Sequence, residues 1–422
     1  MKRLKLLLVI LVIGLMTVFM VSCAENDEPL DVGDPYTVTF VDHDGTVLKT
    51  IDCIKGQACD IVPPDEPNTK ENAYFTRWSV FSSEFDSIEE DTTIEAIYTL
   101  DNRLLVIGDN RAVMLYSFFI LLGIVTGLLL GIQEFKRLGM TSDDMIDGFL
   151  WIVPVSILGA RLWYVVFEWN RFFYDGVFPS ILRALGFQSG TLDFSTFGLS
   201  GLAIHGAFVT AVICTYFYAK KRKLDLLKII DVVAVGFIIA QAFGRWGNFF
   251  NQEAHGGIVG GMSNGVANLT LKQQFDYLNH TLNLPEFIVN NMYITKGLHG
   301  LSVEPLTGYY HPTFFYESML NLIGFGIMLV LRRLDKTHFG DLLAFYLIWY
   351  GGVRIFIETM RTDPLLFDIF GITLKSAIVT SVIMILLGIG FALYVRKIRP
   401  GDTYGTIKNN KIDHNEKEGV EA

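Results

Sequence analysis

Seven apolar stretches, near 113–133, 145–168, 201–219, 229–249, 313–331, 341–359 and 373–395, limit what this chain can become. Each is close to the ~20 residues an α-helix needs to cross a bilayer. In hydrocarbon every backbone polar group must be satisfied within the segment, so such stretches fold as helices. Composition agrees: 51% of the 422 residues are hydrophobic and 18% charged, whereas soluble domains average about 25% charged. The expected class is a polytopic α-helical membrane protein with seven transmembrane helices. Basic residues mark alternate connections: Lys136 and Arg137; Lys220, Lys221, Arg222 and Lys223; Arg332, Arg333 and Lys336; Arg396, Lys397 and Arg399. The positive-inside rule makes these ends cytoplasmic, which puts residue 110 outside and the C-terminus inside. The net charge of −10 comes from acidic residues concentrated in 25–101 and 401–422. No basic stripe interleaves with aromatics, so no nucleic-acid partner is expected.

The N-terminus reads Met1-Lys2-Arg3-Leu4-Lys5, then an apolar run to Val21, then Ser22-Cys23. A basic start, an apolar core and a small residue at the boundary describe an export signal over 1–23. Met20-Val21-Ser22-Cys23 resembles the lipobox of bacterial lipoproteins; an uncleaved signal anchor with an incidental cysteine is the other reading. An acidic linker (24–35) leads to a small, mostly-β extracellular segment over 36–99. There Tyr36–Val41 alternates like a strand, and Asp42-His43-Asp44-Gly45 supplies hairpin-turn chemistry before Thr46-Val47-Leu48. Tyr74–Trp78 and Thr92–Tyr98 complete the strand pattern. This segment resembles the β-grasp-like repeat module of bacterial surface proteins, a spacer or adhesion-type domain. Cys53 and Cys59 suit a short disulfide outside the cell, and equally two free thiols. No CxxC or Cys/His ligand spacing occurs, so no metal is expected. A seven-span region (110–400) and a polar cytoplasmic tail (401–422) follow.

Polar groups recur along the apolar stretches. The run Ile229–Phe243 closes on Gly244-Arg245-Trp246-Gly247-Asn248-Phe249-Phe250-Asn251-Gln252-Glu253. A central membrane Arg costs roughly 2.5–3.5 kcal/mol on insertion scales, so one kept with two carboxamides and a carboxylate points to function. Such a cluster at a membrane face suits an anionic lipid. Arg245 alone has a second reading, as a helix end snorkelling to the headgroups. Tyr350, Arg354, Glu358 and Arg361 share a helical stripe, where Arg354 and Glu358 pair at i,i+4. They fit either a structural ion pair or a phosphate site with a second guanidinium. His205, in Gly201-Leu202-Ala203-Ile204-His205-Gly206, fits a helix contact or a general base. His311-Pro312 with Tyr316-Glu317 opens another helix, and Gly159-Ala160-Arg161 adds a further intramembrane arginine. A non-enzymatic lipid-binding membrane protein or transporter would instead place polar groups at midplane within an internal repeat.

Five of these motifs, in order, resemble one family, the bacterial prolipoprotein diacylglyceryl transferases. Gly244–Glu253 is similar to the family signature GRxGNFxNxE, with Gly256 following. Gly159-Ala160-Arg161, Gly201–Gly206, His311-Pro312 with Tyr316-Glu317, and Tyr350-Gly351 with Arg354 and Glu358 are the supporting matches, and Tyr116 matches the first-span tyrosine. Ser200, Ala207, Trp246 and Met114 depart from the usual family residues. The resemblance covers about 110–400. It implies transfer of the sn-1,2-diacylglyceryl group of phosphatidylglycerol to the lipobox cysteine thiol of exported prolipoproteins, with loss of glycerol phosphate. It implies no cofactor and a place in the bacterial cell membrane. By this resemblance His205, Arg245, Arg354 and Glu253 are catalytic candidates. Arg245, Asn248, Asn251, Glu253, Tyr116, Arg161, His311, Tyr350, Arg354 and Glu358 are candidates for binding substrate. A chain carrying a true lipobox at Cys23 would be a substrate of its own reaction class.

Overall fold

Helices form where apolar residues run on without a break, and they stop where a cap or a basic cluster intervenes. The computed structural model describes residues 33–406, apart from 66, 68–69, 71–72, 108–110, 174–175, 188, 191–202, 295–305, 362–365 and 370–371. The export signal with Cys23, most of the acidic linker, and residues 407–422 of the tail lie outside the described residues.

The N-terminal segment forms strands β1 (Pro35–Val41), β2 (Val47–Ile54), β3 (Phe75–Trp78) and β4 (Thr92–Tyr98). They make one sheet in the order β2-β1-β4-β3, with β1 antiparallel to β2 and parallel to β4. The β1–β2 turn falls at Asp42–Thr46, where Gly45 takes the left-handed conformation. The period-2 alternation of β1 buries Tyr36, Val38 and Phe40. Phe40 meets Trp78 and Phe85 edge to face, at 4.9 and 6.0 Å between ring centres. Cys53 and Cys59 are joined as a disulfide, the first of the two alternatives the sequence left open.

A hairpin of β5 (Arg103–Ile107) and β6 (Arg111–Met114) leads into the helical region. Its long helices are α1 (Leu115–Arg137), α2 (Ser142–Phe167), α4 (Ile204–Arg222), α5 (Leu226–Phe250), α6 (Thr313–Leu331), α7 (Asp341–Met360) and α8 (Ser376–Ile398). A short helix α3 (Val177–Leu185) lies between α2 and α4. Among the described residues, six helices, all of the long ones except α4, are long and apolar enough to cross a membrane. The expected count was seven. Helix α4 falls short because its last turn is Lys220-Lys221-Arg222, which leaves a shorter apolar run.

Small residues set the closest crossings, as is usual where lipid supplies no hydrophobic drive between helices. On α1, a Cβ added to Gly123 would lie 2.9 Å from the Cα of Ala240 on α5, and one on Gly127 would lie 3.3 Å from the Cα of Gly236. These paired contacts run antiparallel. Helix α4 runs antiparallel along α2 in the same way, with Gly206 against Trp163, Thr210 against Gly159 and Tyr218 against Gly148. The Tyr218 hydroxyl also donates to the Asp144 carbonyl at 2.8 Å. An apolar core of Phe135, Val232, Val235, Ile238, Met328, Phe339 and Leu342 joins α1, α5, α6 and α7. At one end of this bundle the C-termini of α5 and α7 and the N-terminus of α6 are tied together by backbone. Gly256 N–H donates to His311 O (2.8 Å), His311 N–H to Gly257 O (2.9 Å), and Gly257 N–H to Met360 O (2.9 Å).

Candidate active site

The site begins with how α5 ends. Asn251 caps the helix, and Gln252 takes a left-handed conformation at φ 51°. Glu253 N–H then donates to Asn248 O (3.0 Å), and Gln252 N–H to Phe249 O (3.1 Å). This is the Schellman turn, which glycine usually makes because a Cβ is strained there. Here the strain is held by the Gln252 amide, which donates to Asn291 O (2.8 Å) and Tyr293 O (3.2 Å). The turn folds Glu253 back over the helix end. Asn248 and Asn251 both donate to its Oε1, at 2.9 and 3.3 Å. Local backbone geometry therefore brings together three of the residues that the motif singled out.

One turn inward, Arg245 donates from Nη2 to Glu317 Oε1 on α6 at 2.6 Å and from Nη1 to Asn248 Oδ1 at 3.4 Å. The other carboxylate oxygen of Glu317 lies 3.6 Å from Arg354 Nη1 on α7. Arg354 Nη2 in turn pairs with Glu358 Oε2 at 2.9 Å, the i,i+4 pair expected from spacing. Glu317 and Glu358 are each 1% exposed, while the two arginine side chains are 18% and 17% exposed. The two carboxylates are thus more deeply buried than the guanidiniums they pair with, and they fix the positions of both. Two buried cations beside each other would repel; a carboxylate between them removes that cost and fixes their separation. Arg354 Nη1 is buried and, among the described residues, makes no hydrogen bond beyond this 3.6 Å approach to Glu317. Tyr350 adjoins Arg245 on the same side.

Tyr116 packs on Gly247, where an added Cβ would come within 2.7 Å of its ring; this places the first-span tyrosine against the signature segment. His311 flanks the backbone ties that follow Glu253. Its Nδ1 is 3.3 Å from the Tyr316 hydroxyl, and its ring meets Tyr277 edge to face. Burial lowers the imidazole below its ordinary pKa, which keeps His311 neutral near pH 7.

Two candidates stand apart. His205 lies in the first turn of α4, exposed, with no hydrogen-bond partner among the described residues. Arg161 is buried on α2 and donates to the carbonyls of Ala184 (2.9 Å) and Arg183 (2.7 Å) at the end of α3, with its guanidinium over the Phe172 ring. Other residues belong with the cluster although the sequence reading gave them no role. Glu317 bridges the two arginines. Gln241, Asn321 and Tyr346 lie one helical turn deeper than Arg245, Glu317 and Tyr350, and the Gln241 amide donates to the Tyr346 hydroxyl at 3.0 Å. Their signal was the spacing of four from each known member, running down α5 and α7 and up α6.

Comparison with known proteins places the chain in a family. The family model described as prolipoprotein diacylglyceryl transferase matches residues 103–394. A phosphatidylglycerol–prolipoprotein diacylglyceryl transferase of Listeria innocua is 36% identical over 305 residues, covering 72% of this chain and 93% of that protein. The protein of that name from Streptococcus sanguinis is 38% identical, over 67% of this chain and 91% of its own length. That from Halalkalibacterium halodurans is 35% identical over 75% and 98%. All the motifs placed above fall within the matched region, and the chain belongs to the prolipoprotein diacylglyceryl transferase family.

Proposed function

We propose that this chain is a transferase that moves the sn-1,2-diacylglyceryl group of phosphatidylglycerol onto the lipobox cysteine thiol of exported prolipoproteins. The observation that carries the reading is the Arg245–Glu317–Arg354–Glu358 chain, which holds two partly exposed guanidiniums side by side on buried carboxylates. In the reaction a sulfur–carbon bond forms at the glycerol carbon that bears the phosphate. The carbon–oxygen bond to phosphate breaks, and glycerol phosphate leaves with the electron pair. Negative charge develops on the leaving phosphate, where Arg245 and Arg354 stabilise it. Asn248, Asn251 and Glu253 orient the headgroup beside Arg245, Tyr116, Tyr350 and His311 line the lipid, and Glu358 holds Arg354.

A thiol with pKa about 8.5 is mostly protonated at neutral pH, so its proton must pass to a base before or during attack. His205 takes that role by resemblance, and its exposed place in the first turn of α4 leaves it open to an arriving peptide. The carbonyl contacts of Arg161 suit a brace for α3, by which it shapes the substrate channel.

The membrane arrangement is proposed as seven crossings in the bacterial cell membrane, with the catalytic end and the N-terminal β-segment outside and the C-terminus inside. Support for α4 as the seventh crossing comes from its contacts with α2, which follow that helix from Trp163 down to Asp144.

The direct test combines the purified protein, phosphatidylglycerol and a synthetic lipobox peptide, and reads the diacylglyceryl thioether by mass. Product is expected, and it is expected to vanish with Arg245→Ala and with a peptide whose cysteine is replaced by serine. A folded protein that gives no thioether would overturn the proposal.

A further inference from the structure

At the end of the bundle away from Arg245, charge is arranged unevenly. Three arginines there have carboxylates outside this group: Arg222 pairs with Asp147, Arg396 with Asp341, and Arg399 with Asp225. Between α1 and α6 the pattern changes. Arg137, Arg332 and Arg333 all converge on Glu134, with Arg332 Nη1 at 3.4 Å and Arg333 Nη2 at 3.7 Å from its Oε2 and Arg137 on its Oε1. These four residues carry two net positive charges. Arg137 also donates to the Arg332 carbonyl at 2.7 Å, which locks the two helix ends together.

The cluster is built rather than loosely exposed. The Glu134 side chain is 4% exposed, that of Arg332 10%, and that of Arg333 52%. Arg332 Nε is buried with no acceptor among the described residues. Burial, and then the neighbouring guanidiniums, lower Arg332 below the ordinary arginine pKa against the pull of Glu134. An anion placed here would relieve that crowding. Guanidinium forks match phosphate oxygens, and basic pockets between membrane helices suit lipid headgroups. Exposed Val330 and Leu334 flank Arg333 and offer apolar surface for an acyl chain.

We infer that Arg137, Arg332 and Arg333 bind the phosphate of an anionic molecule at a site separate from the catalytic cluster. Glu317 and Arg332 are fifteen positions apart along one helical stretch, about 22 Å at 1.5 Å per residue. A phosphate at one site therefore cannot be shared with the other. The occupant is either a lipid headgroup or free phosphate.

Native mass spectrometry of the full-length protein in detergent separates these outcomes, with dioleoyl phosphatidic acid as probe and dioleoyl phosphatidylcholine as control. All proteins carry Arg245→Ala, so that lipid phosphate at the catalytic cluster does not mask the second site. Arg333→Gln is the main variant, since its side chain is half exposed and Glu134 keeps Arg137 and Arg332. Phosphatidic acid retention is expected to weaken about fivefold in this variant, the scale for one basic residue near a headgroup. Phosphatidylcholine binding should stay unchanged. Arg332→Gln should weaken retention in the same direction. Millimolar inorganic phosphate that displaces the lipid identifies the soluble anion as occupant, and failure to displace it identifies the lipid. Equal retention of phosphatidic acid by parent and variants, or equal binding of both lipids by the parent, would overturn the inference. Transfer activity of the Arg333→Gln protein with Arg245 intact reports that the variant is folded.

Discussion

Glu317 shows how one buried carboxylate can govern two cations. Its oxygens face Arg245 at 2.6 Å and Arg354 at 3.6 Å, and it is 1% exposed. Glu317→Gln keeps the shape and removes the charge, which leaves the two guanidiniums facing each other with only Glu358 behind them. Loss of one partner from a buried pair costs about 3–5 kcal/mol, part of which the arginines can avoid by swinging outward to solvent. That swing would spoil the phosphate cradle. The expected outcome is a protein that inserts and folds with a lowered melting temperature, and whose kcat for thioether formation falls about a hundredfold, the scale set by losing one transition-state donor. Steady-state kinetics with the lipobox peptide decide it, and an unchanged kcat would show that Glu317 has no part in setting the arginines. The sequence made Arg245, Asn248, Asn251, Glu253, Arg354 and Glu358 legible as one site because they fall in short motifs. Glu317 stood in a motif too, beside Tyr316, but nothing in one dimension shows that a residue on α6 reaches between α5 and α7. The same holds for Gln252, whose left-handed turn is a property of the folded chain and not of its residue type.

At the scale of elements, the seam between α1 and α5 connects packing to the site. Gly123 and Gly127 of α1 meet Ala240 and Gly236 of α5 backbone to backbone, and Tyr116, two turns above Gly123, rests on Gly247. A large side chain at position 127 must push the helices apart, and Tyr116 would move with α1. Overpacking of this kind costs about 1–3 kcal/mol. Gly127→Ile is expected to lower the melting temperature and to reduce transfer activity together. Gly326→Ile on α6 is the control, because a Cβ there meets nothing within 4 Å. Thermal unfolding in detergent with parallel activity assays checks the pair; equal effects at both glycines would rule out a special role for the seam. Helix positions were readable from length and hydropathy, as were the strands at Tyr36–Val41 and Thr92–Tyr98 from alternation. Which helices pair was not, since a four-residue spacing of glycines marks a close crossing without naming its partner. The site's deeper layer of Gln241, Asn321 and Tyr346 was hidden for the same reason.

The whole molecule is organised by two unlike ends, and the path of the chain between them constrains its crossing of the membrane. Helix α1 begins at the catalytic end, where Tyr116 meets Gly247, and α2 returns there. Helix α5 must start at the opposite end to finish at Arg245. The segment between α2 and α5 therefore has to traverse the bundle, and α4 is the long helix that lies between them. This argument needs no hydropathy threshold, which is why α4 can cross despite ending in Lys220-Lys221-Arg222. Those three residues fall at the same end as Arg332, Arg333 and Arg396, the end that the positive-inside rule assigns to the cytoplasm. Cysteines introduced at exposed positions in a Cys23→Ser, Cys214→Ser background make the arrangement measurable with a membrane-impermeant maleimide, since Cys53 and Cys59 are joined as a disulfide. Ser83→Cys in the β-segment and Ser263→Cys beyond the catalytic end should label on intact cells. Lys221→Cys and Lys397→Cys should label only after the membrane is opened. Labelling of Lys221→Cys from outside, with Ser263→Cys still reactive, would mean that α4 does not cross, and the antiparallel packing of α4 along α2 would not carry the chain through the membrane.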